Sequence, residues 1–349
     1  MRLGVWIGMV AALASSSCLG TRYVVQAGFG QLDLWSRARP IDEVLRDPDT
    51  DDRTRVLLSE VVHIKDYAAQ HGLASKGNYT RYADLERRAV VWFVTASQPL
   101  AFEPKIWKFP IVGGFPYLGW FDQRAALAFR NSLEADGWEV FMRPVSAYST
   151  GGWFRDPVLS TMLSDDDDAF RSLANVLFHE LVHANVLIND QSIFNESVAS
   201  FVGDGITADY LGERFGAESA ELATYREELA RERDYGERLS RAYADLDAVY
   251  TSDASDADKR ADKRRIIDAV DRELRLGTRP NNAYLIQFKT YNAGFDSFEN
   301  LRTACGGDWP RFLAAVKSLD GSSFSSEQQE DLAPAIQPLV AQKCLAPQE

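Results

Sequence analysis

The stretch Phe178-His179-Glu180-Leu181-Val182-His183, followed after a polar interval by Phe194-Asn195-Glu196-Ser197-Val198-Ala199, decides how the chain is read. The first part contains the pattern H-E-x-x-H. On an α-helix residues four apart share a face, so His179 and His183 present two imidazole nitrogens to one metal ion. Glu180 sits beside the first histidine, where its carboxylate reaches a metal-bound water rather than the metal. A catalytic zinc takes three protein ligands and leaves a fourth position to water. Glu196 is the candidate for the third ligand. If the first helix runs to about Ile188, Asn189-Asp190-Gln191-Ser192 forms a polar turn with capping chemistry. A second helix from about Ser192 then folds back and brings Glu196 level with the histidines. One zinc ion held this way polarises a peptide carbonyl and lowers the pKa of its bound water to about 7, and Glu180 accepts the proton. Of the four histidines in the chain, two fall in this pattern, which makes coincidence a poor explanation. The alternative is a pair of helix histidines satisfied as ordinary core or surface groups.

Around this stretch, 349 residues with 46% hydrophobic content are enough for a sizeable core. A formal charge of −13 argues against nucleic acid or anionic lipid headgroups as main partners. The first residues differ in kind. Met1-Arg2 is a minimal charged start, Leu3 to Ala14 is apolar, and Ser15-Ser16-Ser17-Cys18 follows. The apolar run is short for a bilayer span and suits a signal peptide. A small-residue run ending in cysteine resembles a bacterial lipoprotein signal, with Cys18 as the lipid-carrying N-terminus. Ser15 stands where such signals usually have leucine, so ordinary cleavage after the serines or an uncleaved anchor stay open. All three readings export the protein, to a bacterial periplasm and, with the lipid, to a membrane surface. The remaining Cys305 and Cys344 make an even pair in a compartment that permits a disulfide, which would tie the C-terminal tail to the body; two buried thiols are the alternative.

Along the chain, Tyr23 to Trp35, Ile41 to Arg46 and Arg53 to Gln70 read as helices, and His63 and His71 as surface or capping residues. Ala89 to Ala96 has the composition of a buried strand, Pro104 to Trp120 that of short strands and turns, Asp122 to Asp136 a helix, and Trp138 to Met142 a strand. The order predicts a small mixed sheet against which the metal helix packs. Ala147 to Pro157 is glycine-rich and aromatic, and a sheet edge there can bind peptide by strand addition. In it, Tyr148 is a candidate donor to a developing oxyanion or else a packing residue. Asp156 is a candidate to orient a ligand histidine or else a turn residue. Asp165-Asp166-Asp167-Asp168 lacks the spacing of a calcium loop and reads as the cap of the metal helix, where negative side chains are stabilising. The second helix runs from about Ser192 to Arg214, with Ser200 one turn beyond Glu196 and able to hydrogen-bond a ligand histidine. Tyr225 to Tyr250 and Ala257 to Leu276 form a long charged helical hairpin, interrupted at Gly236 and at Thr251 to Asp256, whose charge is most simply a solvated face. The alternatives are a cover over the active site and a surface for a partner.

Several blocks match more than a zinc pattern: the early cysteine, Tyr23 to Leu32, Asn78 to Leu85, Pro116 to Phe121, Ala147 to Phe154, and the His179–His183 and Phe194–Ala199 pair. Together they resemble the bacterial family of predicted exported aminopeptidases over nearly the whole chain. The resemblance implies a gluzincin-like zinc metallopeptidase with His179, His183 and Glu196 as ligands and Glu180 as base. Thermolysin-like enzymes often carry an aspartate where this chain has Ser200. The resemblance does not separate aminopeptidase from endopeptidase; an exopeptidase needs an acid for the free amine, for which Asp156 and Glu103 are the candidates. The expected architecture is α+β and mainly helical, with a small mixed sheet packed on a zinc-binding helix pair and the charged hairpin outside it. The expected organisation is an export segment over 1–18 and one domain over 19–349. Within that domain the catalytic core spans about 89–216, the hairpin insertion about 218–276 and a helical part about 279–349. The reading from another class is a membrane-anchored, non-catalytic zinc scaffold that uses the hairpin as its binding surface. The retained Glu180 argues against it, because a structural site needs no carboxylate placed for proton transfer.

Overall fold

A computed structural model describes residues 18–109, 113–150, 154–166 and 168–344. The chain begins with helix α1 (Cys18–Arg37), strand β1 (Arg39–Pro40), and helices α2 (Ile41–Arg46) and α3 (Asp52–Gln70). Strands β2 (Arg81–Ala83), β3 (Val91–Ser97), β4 (Trp107–Phe109), β5 (Gly113–Phe115) and β6 (Tyr117–Trp120) follow, then α4 (Gln123–Ala135), β7 (Glu139–Val145) and β8 (Val158–Leu159). The rest is helical: α5 (Ala169–Asn185), α6 (Ser192–Phe215), α7 (Ala220–Thr251), α8 (Asp256–Leu274), α9 (Asn282–Asn292), α10 (Phe295–Ala304), α11 (Trp309–Val316) and α12 (Ala333–Ala341). The class is mainly helical α+β, as the sequence predicts. No described helix is long and apolar enough to cross a membrane.

The strands are divided among three small sheets, ordered β1-β2-β8, β6-β3-β7 and β4-β5. Only the first is mixed, through the parallel pairing of β2 with β8. In the second, both β6 and β7 run antiparallel to the central β3. Period-two alternation gives this sheet two unlike faces. Val94, Ala96, Leu118, Trp120 and Val140 point one way and close a core with Ala126, Phe129 and Leu133 of α4. Phe93, paired with Gly119 and Arg143, and Thr95, paired with Tyr117 and Phe141, point the other way. That second face is polar and aromatic because it looks toward α6 and α9. Thr95 Oγ1 meets Gln287 Oε1 of α9 at 2.5 Å, and the Tyr117 hydroxyl reaches α6.

The main core joins α3, α5, α6, α10, α11 and α12 through fully buried Leu58, Ile64, Phe178, Phe194, Phe298, Phe312 and Ile336. Side chains stop the helices where the pattern says they should. Asp51, Asp122, Ser219, Ser255, Asn281 and Asp308 each accept a backbone N–H of the first turn, which satisfies one of the orphan donors there. Helix α5 differs. Asp168 occupies its N-cap position, but the carboxylate takes the Ser172 hydroxyl at 3.0 Å instead of a backbone amide. The aspartate run therefore acts on this helix by charge rather than by capping; Asp167 lies outside the described residues. His71 ends α3 as its C-cap, with Nδ1 at 2.8 Å from the Tyr67 carbonyl oxygen.

The hairpin of α7 and α8 is present, but Gly236 does not interrupt it: α7 passes through without a break. A Cβ there would come within 3.1 Å of the Phe288 ring, so the glycine permits close approach of α9 rather than a turn. Cys305 and Cys344 are joined in a disulfide. The export segment ahead of Cys18 lies outside the described residues, as does the centre of the glycine-rich loop, 151–153.

Candidate metal centre

Helix α5 ends at Asn185, three residues before the expected Ile188. The reason is local. The Asn195 side chain accepts the Ile188 amide at 2.9 Å and donates to the Ile188 carbonyl at 2.8 Å, closing the turn between α5 and α6. Gln191 and Ser192 are tied to Ser326 and Gln328 across the molecule, and Asp190 accepts the Gly114 amide. A turn fastened at this many points fixes how α6 returns along α5, and so where Glu196 stands.

The result is a compact group. Nε2 of His179 and Nε2 of His183 are 3.2 Å apart, and Oε2 of Glu196 is 3.4 Å from each. Among the described residues, these three are the group of His, Cys, Asp or Glu whose ligand atoms converge closely enough to hold a metal ion. His183, Glu196 and Glu180 are buried, with His179 partly so. Burial penalises charge on His183, Glu196 and Glu180. At Glu196 the two histidines outweigh burial, by charge and hydrogen bond, and hold the carboxyl well below its ordinary value. At His183 burial works against the proton, but Glu196, with help from Glu180, raises the imidazole to about 8. At Glu180 burial prevails over the attraction of His183 and His179, and the carboxyl is raised. The two carboxylates are thus driven in opposite directions, one toward permanent charge and one toward exchanging a proton.

Residues outside the motif complete the surroundings. The Tyr117 hydroxyl donates to Glu196 Oε1 at 2.8 Å, leaving Oε2 to face the histidines. Tyr291 stacks on the His179 ring, centroids 6.3 Å apart, and is held there because Ser197 of α6 joins the Thr290 carbonyl and the Ala293 amide at the end of α9. Burial raises both tyrosines, and the Glu196 charge adds to it. The Arg143 guanidinium lies 5.1 Å from the Tyr291 ring centre and 5.5 Å from that of Phe93. Helix α6 packs against His179 at Gly203, where a Cβ would sit in ordinary contact 3.4 Å from the His179 amide nitrogen. Asn175, one turn before His179, donates to Asp204 at 2.9 Å and to the Tyr225 hydroxyl, also at 2.9 Å.

The other residues singled out from sequence stand elsewhere. The ring of Tyr148 rests edge-on against Phe121, and its hydroxyl is in the field of Tyr23 and Asp156; the tyrosines at the histidine–glutamate group are Tyr117 and Tyr291. Asp156 is almost fully buried and accepts the Thr150 amide at 2.9 Å, the Thr150 hydroxyl and the Ser149 hydroxyl, while its own amide is held by Asn78. It clamps the loop beside Glu180 rather than a histidine. Ser200 is half-buried one turn after Glu196, while Gly203 packs on His179 and Asp204 feels its charge. Glu103 is exposed on the wall of a separate cavity of about 330 Å³ beneath the hairpin, with Phe102, Tyr243 and Lys289. Cys18 is the first residue of α1, and its side chain is not described.

Tyr117, Tyr291 and Arg143 carried no motif. A signal existed for Arg143: it is the one charged residue inside Val140 to Val145, on the register of Phe93 rather than of the apolar face. Tyr117 lay in the Pro116 to Phe121 block that carries the resemblance. Nothing in the sequence pointed from Tyr291 to His179. Over residues 22–332 the chain matches the family described as putative aminopeptidase, and it belongs to that family. No curated protein and no solved structure matches it.

Proposed function

We propose that this member of the family is a zinc-dependent aminopeptidase in which His179, His183 and Glu196 hold one metal ion and Glu180 is the general base. The observation that carries the reading is the spacing of the three ligand atoms, 3.2, 3.4 and 3.4 Å. Bonds of about 2.0–2.1 Å in a tetrahedron set ligand atoms about 3.3–3.4 Å apart, and two imidazoles with one carboxylate are a catalytic zinc set. A bound zinc ion supplies Lewis acidity toward a peptide carbonyl and an acidified water. The chain's own residues do the rest. Glu196 keeps its charge at all working pH values, and Tyr117 fixes which oxygen it offers. Glu180, raised by burial, is able to take a proton from the attacking water and return it to the departing amine. The two histidines give up their protons to serve as ligands, and Tyr291 holds the His179 ring in place.

One observation favours endopeptidase activity as the second reading. The oxygens of Asp156 are already taken by Thr150 and Ser149, and Glu103 belongs to another cavity. Neither acid named from sequence is therefore placed for a free amine. The test uses residues 19–349: bound zinc is quantified, and wild type and Glu180→Gln are incubated with free and N-acetylated peptides. We expect one zinc per chain, cleavage of the free peptides alone, and a loss of about 10²–10⁴-fold with zinc retained in Glu180→Gln. Cleavage of blocked peptides transfers the protein to the endopeptidases, and zinc without turnover to the scaffolds. Absence of zinc from a folded wild-type protein would end the proposal.

Export and a lipid at Cys18 belong to the same proposal. Helix α1 starts at Cys18 and exposes Val25, Phe29 and Leu32, which recur at one helical face. This supports a position close to a bilayer. Expressed at full length, Cys18→Ser should leave the membrane fraction for the soluble one; an unchanged distribution refutes the lipid anchor.

A further inference from the structure

Arg143 is a cation without a counter-ion. It projects from β7 on the sheet face that carries Tyr117, half-buried between Phe93 and Tyr291. Among the described residues no carboxylate forms an ion pair with it. The two ring faces replace part of the lost hydration, and a hydrogen bond from Arg143 opposes the raising of Tyr291. A guanidinium has five donors in a planar fork, so most of its capacity is left over. Glycine at position 119, directly across from Phe93, makes this arrangement possible: a Cβ there would come within 3.1 Å of the Phe93 ring. A charge kept half-dry on an aromatic platform, beside a metal-binding group, is matched by an anion that arrives with the substrate.

We infer that Arg143, seated between Phe93 and Tyr291, is a subsite for a substrate carboxylate. The inference rests on the peptidase reading, since it takes the anion to be part of a peptide. Two steps of 5.1 and 6.3 Å lead from the guanidinium through the Tyr291 ring to the His179 ring. An extended peptide at about 3.5 Å per residue covers that distance in about three residues. The carboxylate is therefore either the C-terminus of a short peptide or an Asp or Glu side chain near the cleaved bond. The chemistry is the same in both: two parallel N–H···O bonds from one guanidinium, which lysine does not reproduce.

The test is binding to the zinc-loaded Glu180→Gln protein, which needs no turnover. Calorimetry compares a free-acid tripeptide with its C-terminal amide, and a glutamate-containing peptide with its glutamine counterpart. We expect one of these changes to weaken binding by about 10- to 100-fold, and Arg143→Gln in the same background to abolish that difference at unchanged zinc content. Loss with the terminal amide identifies the C-terminus as the source; loss with glutamine identifies a side chain. Arg143→Lys, which keeps the charge, should lose most of the discrimination and serves if the glutamine variant does not fold. Discrimination that survives in the folded variants, or is absent to begin with, overturns the subsite. Hydrolysis by the wild type is followed in parallel. Arg143-dependent discrimination without hydrolysis refutes the peptidase reading alone, and hydrolysis indifferent to the carboxylate refutes the subsite alone. No binding of any peptide at millimolar concentration refutes both.

Discussion

Glu196 is the residue on which the site turns, because its charge is required by two histidines and its orientation is set by a third group, Tyr117. A hydrogen bond to a charged carboxylate contributes about 1.5–3 kcal/mol when it is made away from water. Replacing Tyr117 by Phe keeps the ring on Phe93 but frees Oε1. Zinc affinity in Tyr117→Phe, measured by competition with a chelating indicator, should fall about 10- to 100-fold; an unchanged affinity would show that Glu196 needs no such partner. Asp156 makes a different prediction. Burial, with a smaller addition from Glu180, raises its carboxyl to about 6. A group whose folded value lies above its unfolded value binds more protons in the folded state. Its contribution to stability is complete below about pH 4 and is lost as pH rises through 6. In metal-free protein, urea unfolding at pH 4.5 and 7.5 should therefore show wild type losing up to about 2 kcal/mol relative to Asp156→Asn. Parallel pH profiles for the two proteins would contradict the assignment.

At the scale of single elements, α1 shows how one helix is both free and tightly docked. Gln26 donates to the Gly119 carbonyl and accepts the Phe121 amide, so the helix covers the edge of β6 that would otherwise be open to pairing. A Cβ on Gly30 would stand 2.2 Å from the Phe121 ring, which is itself buried, whereas nothing lies within 4 Å of a Cβ on Gly28. Two substitutions on the same helix should thus act in opposite directions. Gly28→Ala gains up to about 1 kcal/mol of helix propensity. Gly30→Ala forces the helix off β6 and costs about 1–3 kcal/mol. Thermal unfolding of the two variants beside the wild type decides it, and equal shifts would mean that α1 does not dock on Phe121.

On the scale of the whole molecule, the C-terminal helices are closed onto the main core by a covalent link. The Cys305–Cys344 bridge spans 39 residues and encloses α11 and α12, whose Phe312, Leu313 and Ile336 belong to the same core as α5 and α6. Chain-entropy arguments give such a loop about 4 kcal/mol of stabilisation. Cys344→Ser should lower stability by about 2–4 kcal/mol while zinc binding at saturating metal is unchanged, because no ligand lies in the loop. A loss of zinc binding in the folded variant would mean that the bridge is needed for Ser326 and Gln328 to hold the turn that places Glu196.

The sequence by itself determined much of the local structure: helical spacing put His179 and His183 on one face, the helix carrying them gave way to a second one starting at Ser192, and helical patterning marked α3, α4 and α6 to within a residue of their ends. These features are local, since helix periodicity and capping act within one turn or two. The tertiary structure alone decided which distant groups meet. It showed that Asn195 closes the turn that places Glu196, that Tyr117 arrives from a strand 79 positions away, and that Asp156 spends its oxygens on its own loop. It also placed Tyr291 beside His179 and Arg143 against Tyr291, and turned Gly236 from an expected break into a point of close packing. Such contacts depend on strand register and on helix packing, which no stretch of sequence carries within itself.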